Sequence, residues 1–463
     1  LRIISLSLAF LLLAGCGSSA AAPLDPPARP GAFWLGRDAS AAPSPQPVDA
    51  VRFDSLAALT EHALRTRPDA RAAWFGIQAE ANRLDAAEAD NWPTLTGQIS
   101  FTRSQAMSSA GSSVPVLHRY GPSLSLAYVL YDFGARTAGI EAQRYQLVST
   151  LLAGNRTLQD IVSAVETAYY ALVAARGALD AQNEQIASLA ESEKAVRIRL
   201  EGGLASRADA LRARAARVEA ELARDAAARD VAKAEAALKQ AAGIAQTQTL
   251  TLDWPLAPPP DLDAAALLAD LLAEAERQRP DLRSLRASAA AARAEADRAR
   301  AARWPSLALS ANTGRTFFLE DERAPSTTYS VGLNLSVPLF DGGRLAAQAR
   351  AAERDAERFA AQADAQRDTV ALEVTQAWQD ARYAQTARAG VAVQYESAAE
   401  SARAAEARYK TGVGSLLEWL TAQADLARAR QARVQADGDW QSAFSRLNHA
   451  LGRLPAALPE RQP

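Results

Sequence analysis

The chain has 463 residues, 49% apolar and 22% charged, a balance that fits a folded protein. A formal net charge of -2 gives no basic surface for a nucleic-acid partner. One cysteine, Cys16, excludes an intrachain disulfide, and three histidines far apart in sequence (His62, His118, His449) offer no paired zinc ligands, so neither a metal nor a cofactor is expected.

Residues 1–15 read as a signal peptide: Arg2, an apolar run from Ile3 to Leu13, then small residues. The run is too short for a membrane-spanning helix. "LAGC", ending at Cys16, has the form of a bacterial lipobox, which implies cleavage before Cys16 and lipid on its sulfur. Gly17-Ser18 follow, not the aspartate that retains lipoproteins at the inner membrane, so the outer membrane is the implied destination. Residues 16–53, rich in Ala, Pro and Ser, read as an extended, lipidated tether.

The remainder reads as one unit written twice, at 54–243 and 264–452, joined by 244–263 and ended by a tail at 453–463. "RPDAR" at 67 returns as "RPDLR" at 279, and "NWPTL" at 91 as "RWPSL" at 303, both offset by 212. "LYDFG" at 130 returns as "LFDGG" at 339, and "RLEGGLAS" at 199 as "RYKTGVGS" at 408, both offset by 209. Each unit opens with a helix, the first over about Pro68 to Asn91. Two alternating segments follow, with period two and one oily face, and these read as strands. They cover about 94–103 and 121–131 in the first unit, and about 305–313 and 328–338 in the second. The stretches between them, 103–119 and 313–328, read as polar loops.

A helical hairpin closes each unit, at 133–242 and 342–451. Its first arm is long, about Phe133 to Leu200, with apolar residues at spacings of three, four and seven. Glycines break it at Gly202-Gly203 and at Gly412 and Gly414, where a tight turn needs them. At 1.5 Å per residue the long arm spans about 100 Å, and the two shorter helices laid end to end span roughly 93 Å. Each unit is therefore expected to form two parallel columns, with strands at one end and a glycine turn at the other. Asp132 and Asp341 fit the caps of the long helices.

Trp92-Pro93 and Trp304-Pro305 mark where column becomes strand. Proline ends helix continuation, and tryptophan gathers at membrane interfaces. Four strands of about ten residues are long enough to cross a bilayer but too few for the smallest barrel, so the barrel must be shared among subunits. No catalytic constellation, phosphate loop or metal-ligand cluster stands out, and no enzyme is expected. "YDFG" at 131–134 lacks the Gly-rich loop and the partner motif that a kinase reading needs.

The duplicated plan, the Trp-Pro joints, "LYDFG" and "LFDGG", and the turns "RLEGGLASRADAL" and "RYKTGVGSLLEWLTAQ" resemble the TolC family of outer-membrane efflux proteins, particularly its lipoprotein branch. The likeness covers about residues 54–452. It implies a homotrimer with a twelve-stranded β-barrel, continued by a long periplasmic α-helical barrel. An equatorial belt would come from 244–263 and the terminal segments. The implied role is the passive exit duct of a tripartite system, opened by a periplasmic adaptor and energised by an inner-membrane pump. Cargo would be drugs, other toxic compounds or metal ions; a type I protein-secretion outlet and a pore-free coiled-coil scaffold are the alternatives. By position, the likeness makes Gly203, Ser206, Gly412 and Ser415 adaptor contacts at the tips. It makes Leu417 and Glu418, with Asp209 as the first-unit match, a periplasmic gate; the family's further acid one turn on is Thr421 here.

Overall fold

The structure is a computed structural model and describes residues 50–105, 116–252, 261–262, 267–319 and 324–453. The signal peptide, Cys16 and most of the tether lie outside the described residues, as does the tail beyond 453.

The described elements run twice in the same order. The first round is β1 (Val51–Phe53), α1 (Leu56–Thr66), α2 (Pro68–Ala89), β2 (Thr94–Ser104), β3 (Leu117–Tyr131), α3 (Ala135–Glu201) and α4 (Arg207–Ala242). The second is β4 (Leu250–Leu252), α5 (Leu268–Gln278), α6 (Pro280–Ala301), β5 (Ser306–Phe318), β6 (Ser326–Ser336), α7 (Arg344–Lys410) and α8 (Leu416–Leu451). Matching helices have equal lengths: 67 residues for α3 and α7, 36 for α4 and α8, and 22 for α2 and α6. Ala, Arg, Glu and Leu dominate these helices, and all four favour them.

Two helices escape the sequence reading. α1 and α5, 11 residues each, precede Arg67 and Arg279. The proline that follows holds each arginine in an extended conformation (ψ 132 and 119), so α1 ends where α2 begins and α5 ends where α6 begins. The loop readings are also too generous. β3 starts at Leu117 and β5 runs to Phe318, so the strands take in Arg119 and Arg315, which the sequence reading left in loops.

The columns form as the length argument requires, through joints built on arginine. Ala242 ends α4 beside the start of α2; Thr66 Oγ1 donates to the Ala242 carbonyl at 3.2 Å and Arg67 Nη1 to the Ala241 carbonyl at 3.2 Å. In the second round Arg279 Nη1 donates to the Ala450 carbonyl at 3.3 Å, and Gly452 lies directly against the Arg279 backbone. Helix C-termini leave carbonyls without partners, and these side chains supply them. Two apolar cores flank the joints. One joins Phe53, Leu59, Val165, Leu172, Leu238 and Leu250; the other joins Leu271, Val374, Trp378, Trp440, Leu447 and Leu451. Beside the first, β1 pairs in parallel with β4.

The two rounds differ in one respect. α6 lies between α3 and α7 and buries alanines on several sides, among them Ala287, Ala291, Ala294 and Ala301. Its counterpart α2 packs on α3 alone among long helices, and leaves Trp74 and Phe75 57% and 64% exposed.

Candidate functional site

Two ends of the molecule carry the features that matter: the sheet and the helical turns. The sheet has four strands in the order β2-β3-β5-β6, every neighbour antiparallel. It is open, with β2 and β6 as edges, and among the described residues no helix covers either face. Register sorts its side chains. Leu95 lies opposite Leu126, which lies opposite Ala311, which lies opposite Val331. Thr96, Ser125, Asn312 and Ser330 form the row beside it. One face is thus apolar across all four strands, and the other is small and polar.

Aromatic residues border the apolar face. At the helix end Trp92 and Trp304 are exposed, and Phe133 stacks on Trp304 with ring centroids 5.6 Å apart. At the far end Tyr120 stacks on Phe317 at 5.3 Å, and Phe101 on His118 at 6.1 Å. The joint from strand to helix is tight. Asp132 accepts from the Gly134 and Arg136 amides at 3.2 and 2.8 Å, and Asp341 from Gly343 and Leu345 at 2.9 and 2.7 Å. Each aspartate serves the helix start from two residues before the cap. Phe133 has φ +53, a left-handed conformation that costs a bulky residue energy, and Gly342 occupies the matching place. The amides of Leu345 and Gly343 hold the Asp341 carboxyl below its usual range.

The other end holds the expected tip and gate residues. Gly203 and Gly412 sit in the two turns with φ of +73 and +82, where glycine alone is unstrained. Ser206 and Ser415 are the helix caps. Ser206 Oγ accepts from the Asp209 amide at 3.1 Å while Asp209 accepts from the Ser206 amide at 3.2 Å; Ser415 and Glu418 repeat both distances. These reciprocal bonds satisfy two helix-start amides at each turn. Hydrogen bonds from Ser206 hold the Asp209 carboxyl low. Glu418 also lies 3.7 Å from Arg408, and Leu417 beside it is 64% exposed.

The turns pack on one another. Tyr409 stacks on Trp419 at 4.9 Å, within a core that includes Val196, Ala213 and Leu416. Arg199 lies over the Tyr409 ring at 4.7 Å and donates to the Tyr409 carbonyl. Sequence reasoning missed this clasp; the signal was the aromatic pair Tyr409 and Trp419, which stands where the first unit has Leu200 and Ala210. Among the described residues no three His, Cys, Asp or Glu side chains gather as a metal site, and no helix is long and apolar enough to cross a membrane.

The sequence matches the family model described as "Outer membrane efflux protein" over residues 59–244 and 271–453. The chain belongs to the outer membrane efflux protein family. The resemblance to TolC-type proteins drawn from the Trp-Pro joints and glycine turns is therefore borne out. Protein CyaE of Bordetella pertussis is 32% identical over 441 residues, which cover 94% of this chain and 92% of that protein. The solvent efflux pump outer membrane protein SrpC of Pseudomonas putida is 26% identical over 470 residues, 96% of each. The fold resembles that of the outer-membrane channel OprN, with a TM-score of 0.75 at 23% identity, covering 86% of this chain and 89% of that one. As a member of the efflux protein family, the chain is an outer membrane channel protein of tripartite efflux or secretion systems.

Proposed function

We propose that three copies of this chain close their sheets into one twelve-stranded barrel, anchored beside it by lipid on Cys16. The helices then continue the barrel as a tube through the periplasm. The observation that carries this reading is the sheet: two open edges, two uncovered faces, and an apolar face bordered by aromatics at both ends. Such a sheet has no stable place in water, and in lipid every backbone group must be paired. Joining β6 of one copy to β2 of the next removes every edge. The uneven burial of the helices supports the same ring. α6 sits between α3 and α7, whereas α2 lacks its second neighbour; α7 of an adjacent copy would cover Trp74 and Phe75.

In this assembly the polar face lines a water-filled pore, and small molecules leave the periplasm through it: drugs, other toxic compounds or metal ions. SrpC, named for a solvent efflux pump, supports small-molecule cargo, whereas the more similar CyaE, at 32% identity, supports a type I protein-secretion outlet as the second reading. An inner-membrane pump supplies the energy. The tips at Gly203, Ser206, Gly412 and Ser415 dock a periplasmic adaptor, whose binding parts the two turns. Leu417, Glu418 and Asp209 narrow the tube there. Because Glu418 is committed to its helix cap and offset by Arg408, Leu417 provides most of the constriction.

The test is electrical. Purified protein added to a planar bilayer should form channels that open rarely at rest. Absence of conductance from protein that is folded and membrane-bound would replace the duct with a pore-free scaffold.

A further inference from the structure

We infer that Arg119 biases the outer mouth of the pore toward anions, small organic carboxylates among them. The inference rests on the barrel reading above. Arg119 lies opposite Thr102 on β2 and Phe318 on β5, both positions of the polar face. Among the described strand residues of that face it is the one charged side chain. The others are Ser, Thr, Asn, Gln, Gly and Ala, with Leu117, Val129 and Phe318. Arg103 and Arg315 fall on the opposite, apolar face, opposite His118 and Thr327.

Position adds to the argument. Arg119 is near the start of β3, at the end of the sheet away from the helices. Its side chain is exposed, and Nη2 donates to Ser104 Oγ at 3.1 Å, a neutral partner that leaves the charge unopposed. A cavity of about 350 Å³ opens beside it, lined in part by Thr102, Ser123, Asn312 and Ser330. The polar face is therefore concave where Arg119 stands, as the inner wall of a barrel must be. Three copies place three guanidinium groups around one axis, in a wall whose other described strand residues carry no charge. A ring of fixed positive charge raises the local concentration of anions and lowers that of cations.

Glu320, Asp321 and Glu322 follow β5 in sequence, outside the described residues. They are unchanged in each variant below, so they do not affect the sign of a difference between variants.

Reversal potentials across a tenfold KCl gradient test the inference, with native protein, Arg119→Ser and Arg119→Glu compared in planar bilayers. The native reversal potential should lie toward chloride relative to that of Arg119→Ser, most clearly when the dilute side is about 0.01 M, where screening is weak, and less at higher salt. Arg119→Ser should lose that shift, and Arg119→Glu should move the potential further toward potassium. Equal reversal potentials in all three, with conductance intact, would overturn the role of Arg119 and leave the barrel standing. No conductance in any of them would overturn the barrel reading and this inference with it.

Discussion

The guanidinium of Arg279 donates to the Ala450 carbonyl at 3.3 Å, and through that contact α8 and α6 become one column. Arg279 is 1% exposed and also bonds Asp281 and Glu373. Burial alone would raise the Asp281 carboxyl, but the hydrogen bond and charge of Arg279 outweigh it and hold that carboxyl low. Arg67 holds the same place in the first round with a more exposed side chain. Arg279→Ala takes a buried partner from Asp281, Glu373 and the Ala450 carbonyl, and should cost roughly 3 kcal/mol. Arg67→Ala should cost about 1 kcal/mol. Chemical unfolding followed by helix content distinguishes them; equal losses would contradict the joint as described.

Glu166 on α3 is buried against Ser445 on α8. Burial pushes its carboxyl above the usual value of 4.5, and the Ser445 hydroxyl offsets only part of that. The folded state therefore holds this proton more tightly than the unfolded state. Its ionisation costs stability at neutral pH, and the cost disappears as pH falls through the raised value toward 4.5. Glu166→Gln should therefore raise the unfolding midpoint at pH 7 relative to the native chain, with the gap narrowing toward pH 4.5. A gap that widens on acidification would reverse the assignment.

Leu333 lies mid-strand on the apolar face opposite Leu309, and Asn334 on the polar face opposite Ala308. Leu333→Arg should weaken insertion into liposomes by about 2–4 kcal/mol, the cost of arginine at the lipid midplane. Asn334→Arg should insert normally. Equal insertion of both variants would mean that the apolar face does not meet lipid.

At the tips, Leu417→Ser combined with Glu418→Ala should raise single-channel conductance by widening the constriction. Wild-type conductance in that double variant would remove both residues from the gate. Since the Glu418 carboxylate also accepts from the Ser415 amide at the start of α8, helix content is measured alongside, and loss of that one bond should cost about 1 kcal/mol.

Most of the architecture was legible because it is written in period. Alternation around Leu95 and Leu333 gave the strands, spacings of three, four and seven gave the long helices, and the glycine turns gave their ends. What escaped depended on contacts between distant residues. Arg67 and Arg279 look like ordinary surface arginines until the ends of α4 and α8 arrive beside them. Arg119 was lost to a loop because Gly121-Pro122 interrupts the alternation, and its strand identity comes from pairing with Thr102 and Phe318. Asp209 and Glu418 stood out as acids near a turn, but only the structure gives them hydrogen bonds to Ser206 and Ser415.

The central claim is that one chain supplies a third of a closed barrel. The most direct measurement is the native mass, in detergent, of the Cys16→Ala protein, which cannot carry the proposed lipid anchor. The account predicts three times the chain mass, and dependence on detergent even without the anchor. A water-soluble monomer or dimer would contradict it, because the open edges at β2 and β6 would then need no partner.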